Sequence, residues 1–167
     1  MASGGETLVI RLTVTDNDRY NPKSDEDTVA VNVLNINDPP SCHLAFPSSE
    51  VLWPPDHGME AVSIEGVMDA DDMYNEITLD ITGVTQDEAV NGTGDGDSAP
   101  DAVILHDMPA DHVMPRAERS GNGNGRVYEI SFLASDGKES CRGSVTVSVP
   151  PNRKGDALND GQIFQSK

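Results

Sequence analysis

Aromatic residues are scarce in this chain: 4% of its 167 residues, as three Tyr, three Phe and one Trp. Large aromatics supply much of the area that a compact core buries, so a small core with much loop is expected. Basic residues are also few, 11 Lys and Arg against 29 Asp and Glu, for a formal net charge of −18 at pH 7. Nucleic acids and anionic membrane surfaces both demand clustered Lys and Arg, so both are disfavoured as partners. No apolar run reaches the ~18 residues that suggest a membrane-spanning helix. Cysteine occurs only at Cys42 and Cys141, in neither a CxxC pair nor a zinc-like spacing with histidine. Two readings of that pair stay open, a disulfide joining distant segments or two buried thiols. A sustained 3.6-residue apolar stripe is missing as well. The one helical candidate, residues 108–119, is interrupted by Pro109 and Pro115. No charged-then-apolar leader opens the sequence, and the chain is expected to be an interior piece of something longer.

What is present is short alternation. Residues 7–14 (TLVIRLTV), 28–33 (TVAVNV), 61–64 (AVSI), 77–84 (ITLDITGV), 127–134 (VYEISFLA) and 144–149 (SVTVSV) each place apolar and polar side chains in turn. Period-two runs bounded by Gly, Pro, Asn and Asp predict an all-β, two-sheet antiparallel sandwich. The string NINDPP at residues 35–40 reads as a linker, stiffened by two prolines. Residues 1–40 are therefore a β-hairpin extension with only two strands, too few to bury a face alone. They are either the end of a preceding domain or packed on the main module. Residues 41–150 form that module, the main sandwich. Residues 151–167 are polar and patternless, and a loose tail is expected there.

The surplus carboxylates suggest a hard cation, because calcium takes six to eight oxygens from carboxylates, carbonyls and water. Three groups could supply them. Asp95, Asp97 and Asp101 are interleaved with glycines that let carbonyls turn inward. Asp69, Asp71 and Asp72 follow a strand, with Asp136 on a candidate neighbouring loop. Asp16 and Asp18, with Asp25 and Asp27, could be joined by Asn35, Asn37 and Asp38 of the linker. None has EF-hand spacing. The competing reading is that acidic turn residues satisfy their own backbone and solvate the surface.

Other residues admit two readings each. Trp53 is either a core side chain or a stacking platform for sugar assisted by Tyr74 or Tyr128; core is favoured. Arg116, Glu118 and Arg119 are expected to form ion pairs that brace the acidic loop of residues 95–101, rather than to bind a carboxylate ligand. His43, His57, His106 and His112 lack any compact two-histidine spacing and are expected to be structural or superficial. No GxSxG elbow, Walker-type loop or GxGxxG is found. The paired acids lie in polar loops rather than apolar clefts, so catalysis is not expected.

Two segments carry a resemblance. LTVTDNDRYNPKSDEDTVAVNVLNINDPP at residues 12–40 resembles the last two strands and exit linker of PKD-type and cadherin-like repeats. The repeat's earlier strands and Gly-Asp-Gly signature are absent, which implies a C-terminal remnant. In cadherin-like arrays an Asn/Asp linker binds calcium, and the resemblance implies the same for NIND. LWPPDH (52–57), NGTGDGDSAPD (91–101), RAERSG (116–121) and GRVY (125–128) together resemble a bacterial immunoglobulin-like module of secreted multidomain proteins. That resemblance implies an immunoglobulin-like sandwich, an extracellular accessory role without shared catalytic activity, and neighbouring domains of the same polypeptide as partners. Polysaccharide or another surface protein is a further candidate partner. The expected function is thus a non-catalytic, calcium-binding module for adhesion or domain spacing, secreted or at the cell surface. The alternative is a carbohydrate-binding module attached to a secreted enzyme.

Overall fold

A computed structural model describes residues 5–34, 36–70, 77–92, 94, 96, 98–106 and 110–166. Among these residues every regular element is a strand and no segment is helical. The chain divides into two compact units, Met1–Asn37 and Asp38–Lys167.

The first unit is a single antiparallel hairpin of β1 (Glu6–Thr15) and β2 (Ser24–Val33), in register from Glu6↔Val33 to Thr15↔Ser24. Directly paired residues share a face. One face therefore carries Leu8, Ile10, Leu12 and Val14 with Val29, Val31 and Val33, all between 41% and 63% exposed. The other face is largely polar and cross-linked by side chains. Thr7 donates to Asn32 at 2.8 Å, Thr13 donates to Glu26 at 3.3 Å, and Arg11 pairs with the same Glu26 at 3.4 Å.

The second unit is a two-layer antiparallel β-structure. Before its larger sheet come β3 (Phe46–Pro47) and β4 (Ile64–Glu65), which pair with each other. The larger sheet takes β5 (Thr78–Gln86), β8 (Arg126–Ser135), β9 (Ser140–Val149) and β10 (Phe164–Gln165) in the order β10-β5-β8-β9. The opposing layer pairs β6 (Ala102–Leu105) with β7 (His112–Pro115), widened by bridges from Val62 to Val113 and from Met59 to Arg116.

Alternation places the core. Tyr128, Ile130, Phe132 and Ala134 of β8 and Val145, Val147 and Val149 of β9 meet Leu52, Val62, Val113 and Ala117 from the facing layer. In β5 the buried phase changes from Leu79 and Ile81 to Val84 and Gln86. A bulge between Ile81 and Gly83 inserts the extra residue, which explains why the run ITLDITGV loses its alternation midway.

Cys42 and Cys141 form a disulfide, 99 residues apart in sequence with Cα atoms 5.9 Å apart, which settles the choice left open by sequence. Beside it, Gly143 opposes Phe132, and a Cβ there would stand 2.6 Å from the ring. The glycine makes room for the aromatic side chain next to the disulfide.

Two differences from the sequence-based divisions stand out. The unit boundary falls at Asn37, three residues before the expected end of the linker. The segment after Pro150, expected to be loose, returns to the sandwich. Phe164 and Gln165 add β10 to the edge of β5, and Ser166 is fully buried. Polar bonds hold this segment where hydrophobicity gives no sign of it. Asp87 accepts from the Asp160 amide at 3.3 Å, Thr85 donates to Gln162 at 3.0 Å, and Gln162 donates to the Val127 carbonyl at 3.0 Å.

Candidate functional site

The acidic loop of residues 87–101 and the segment 116–121 meet at the start of β8. At their junction Arg126 is fully buried. Its Nη1 donates to Asp101 Oδ2 at 2.7 Å, and its Nε pairs with Glu88 Oε2 at 3.3 Å. Gln86 Nε2 donates to the same Asp101 oxygen at 2.6 Å. Glu88 also accepts from the Ser120 amide at 2.8 Å, so one carboxylate ties the two loops together. Arg126 lies over the Tyr128 ring, its guanidinium carbon 5.9 Å from the centroid. Tyr128 donates its hydroxyl hydrogen to the Arg116 carbonyl at 2.9 Å.

Burial pushes the Tyr128 hydroxyl well above its ordinary range, although the Arg126 charge and hydrogen bond act against this. Tyr128 therefore remains a neutral donor. For Arg126, burial opposes the charge, but Tyr128, Asp101 and Glu88 outweigh it and hold the guanidinium above its ordinary value. A buried cation is tolerated here because its carboxylate partners are close and hydrogen-bonded.

Asp101, one of the expected calcium ligands, is fully buried and acts as counter-ion to Arg126. Among the described residues, the arginines expected to pair with the acidic loop bind main chain. Arg116 donates Nε and Nη2 to the Pro100 carbonyl at 3.2 and 3.0 Å, and Nη1 to the His57 carbonyl at 2.8 Å. Arg119 donates to the carbonyls of Pro150 and Ser120. The loop is braced as anticipated, but by carbonyl acceptors and by Arg126, which sequence reading did not single out. A signal existed. Arg126 is in phase with Tyr128, Ile130 and Phe132, so alternation alone points its side chain inward.

Two histidines rest on buried carboxylates. His57 Nδ1 lies 2.8 Å from Glu118 Oε2, and His106 Nδ1 lies 2.8 Å from Asp111 Oδ2. Asp111 Oδ2 also accepts from the Ile81 amide at 2.9 Å, joining β5 to the loop before β7. His57 adopts a φ of 65°, held by its N–H, which donates to the Ala117 carbonyl at 3.0 Å, and by Arg116, which donates to the His57 carbonyl. Glu118 is fully buried, and its Oε1 has no hydrogen-bond partner among the described residues.

The remaining described ligand candidates have local uses. Asp16 accepts from the amides of Asp18 and Lys23 at 3.2 and 3.1 Å, and Asp18 from those of Tyr20 and Asn21 at 3.0 and 3.3 Å. Both cap their own turn. Asp136 does the same for Lys138 and Glu139. Asp69 has a buried Oδ2, while Asp71, Asp72, Asp95 and Asp97 lie outside the described residues, as do Asn35 and Tyr74. Asn37 and Asp38 fall on opposite sides of the unit boundary. Among the described residues no group of three or more His, Cys, Asp or Glu converges on a metal position.

Trp53, expected in the core, is 37% exposed, and Leu52 takes the core position beside it. Tyr128, a proposed companion for sugar stacking, is fully buried. A groove of about 560 Å3 runs along β9, lined by Phe46, Glu50, Ser144, Thr146 and Asp156 among others.

No protein-family model and no curated protein matches this chain.

Proposed function

We propose that residues 38–167 are a non-catalytic, immunoglobulin-like module of a secreted or surface protein, serving adhesion or domain spacing and stiffened by calcium. The supporting observation is the use of the buried acids. Asp87, Asp101, Asp111 and Glu118 each hold a group of the fold itself: the Val127 amide, Arg126, the Ile81 amide and His57. Their geometry favours rigid loop ends over a reaction cleft. The uncovered aliphatic face of β1 and β2 favours reading residues 1–37 as strands of a neighbouring repeat in a tandem array. Calcium is favoured at the Gly-Asp loop of residues 92–97 over the turn of residues 16–23, where Asp16 and Asp18 already cap backbone amides. The carbohydrate-binding alternative draws on the polar groove along β9, with half-exposed Phe46 on its wall.

Thermal unfolding of the chain in millimolar calcium, against chelator and against magnesium at matched ionic strength, tests the reading. A saturable rise in melting temperature with calcium alone is expected, since a ligand that binds only the folded state stabilises it. An unchanged transition removes calcium from the account.

A further inference from the structure

We infer that the outer edge of β9, over residues 142–146, receives an extended peptide strand from a partner protein, one that carries a basic side chain next to an aliphatic one. This goes beyond the function proposed above: it assigns a binding site that stands on the strand edge alone and needs no calcium. The larger sheet treats its two edges differently. Along β5 the outward backbone groups are taken. The Asp111 carboxylate accepts from the Ile81 amide at 2.9 Å, and the Asp111 amide donates to the Leu79 carbonyl at 2.9 Å. Farther along, the Ser166 amide donates to the Val84 carbonyl at 3.1 Å, and β10 pairs with Thr85 and Gln86.

Along β9, the last strand in the order β10-β5-β8-β9, they are not. At Ser148 the amide donates outward to the Glu50 carbonyl at 2.9 Å, and the carbonyl accepts from the Leu52 amide at 2.8 Å. Main-chain groups of an antiparallel strand turn to alternate sides with each residue, and β9 keeps an unbroken register with β8. Arg142, Ser144 and Thr146 therefore turn their amides and carbonyls outward too, and among the described residues none of these groups has a hydrogen-bond partner. Between Gly143 and Ser148 the strand has no proline, no charge and no bulge, the devices with which folded proteins guard an exposed edge.

The open stretch is framed at both ends. The Cys42–Cys141 disulfide holds one end and the Val51–Ser148 bridge the other, roughly 23 Å apart at the rise of an extended strand. The groove of about 560 Å3 lies against this stretch, and its apolar wall includes Phe46 and Val51, both half-exposed. Unpaired main-chain donors and acceptors beside an apolar wall suit an extended polypeptide: its main chain continues the ladder, and every second side chain enters the groove. The charge of the groove selects the side chains. Among the described residues, Glu50 and Asp156 are the only charged groups that line it, which favours a Lys or Arg on the incoming strand. Arg142 turns instead to the outer face of the sheet with Glu129. Arg153 and Lys154 line an adjoining hollow by Ser148 and Pro150, where the edge is already paired.

Amide exchange of the full chain, followed by NMR with a capped peptide of sequence TKVTVKT as probe, tests the site. The peptide is expected to bind and to slow exchange at Ser144 and Thr146, while Ser148, already bonded, does not change. The same peptide N-methylated at its three central residues cannot donate to a strand edge, and should bind on the order of tenfold more weakly as about two hydrogen bonds are lost. This comparison does not depend on a variant folding. T146P takes an outward amide from the edge and should weaken binding to a similar degree. E50K should weaken binding of TKVTVKT and strengthen that of TEVTVET. Equal binding of the methylated peptide, or unchanged exchange at Ser144 and Thr146, overturns the inference. So does a lack of binding at millimolar peptide. Protection of both amides before peptide is added would show an edge already covered, and overturns it too. Slowing by cellohexaose but not by peptide would give the groove to the carbohydrate alternative. In each of these cases the calcium reading is untouched.

Discussion

The hairpin of β1 and β2 and the sheet pair β8 and β9 are built from strands of the same length, ten residues each, with the same alternation. Their fates are opposite. Every residue of β1 and β2 is exposed, whereas the inward residues of β8, from Arg126 through Ala134, are buried. Alternation specifies a strand with two unlike faces, and burial requires a second layer to cover one of them. The acids divide the same way. Asp16 and Asp18 in the hairpin turn cap exposed amides, while Asp87, Asp101 and Asp111 fasten strands and loops inside the sandwich.

Substitutions in the two regions should have unequal effects. Phe132→Ala should cost about 3–5 kcal/mol of unfolding free energy, and Ile10→Ala less than about 0.5 kcal/mol, both read from denaturant titration of the main transition. Similar losses at the two positions would show that the hairpin is part of the same cooperative core. Arg126→Met leaves Asp101 buried without its cation and should cost about 3–5 kcal/mol on the same measurement. A loss under about 1 kcal/mol would mean that the pair is dispensable and the loops are held by other bonds. Asp16→Ala removes an acceptor from two exposed turn amides and should change the main transition by no more than about 1 kcal/mol, with loss of the turn's amide chemical-shift dispersion as its visible effect.

Much of this division was legible in the residues. The six alternating runs fall on or beside β1, β2, β4, β5, β8 and β9. The missed strands have physical reasons. Residues 102–105 of β6 read AVIL, which has no period, and β3 and β10 are two residues long. The return of the C-terminal segment depends on Asp87, Thr85 and Gln162, single polar contacts that no hydropathy pattern encodes. At the site, the loop glycines and aspartates were visible as strings. The burial of Asp101 against Arg126 was not, because it depends on a side-chain contact between residues 25 apart in sequence, which no local pattern encodes. Trp53 misled for a simpler reason: one residue of register decides whether Leu52 or Trp53 faces inward, and the short segment gives no second turn of alternation to fix it.

Hydrogen exchange of backbone amides with and without calcium tests most directly whether the two acidic regions differ in kind. Added calcium is expected to slow exchange at Gly94, Gly96, Ser120 and Gly121 and to leave Asp18, Tyr20, Asn21 and Lys23 of the hairpin turn unchanged. Slowing confined to the hairpin turn, or equal at both places, would contradict it.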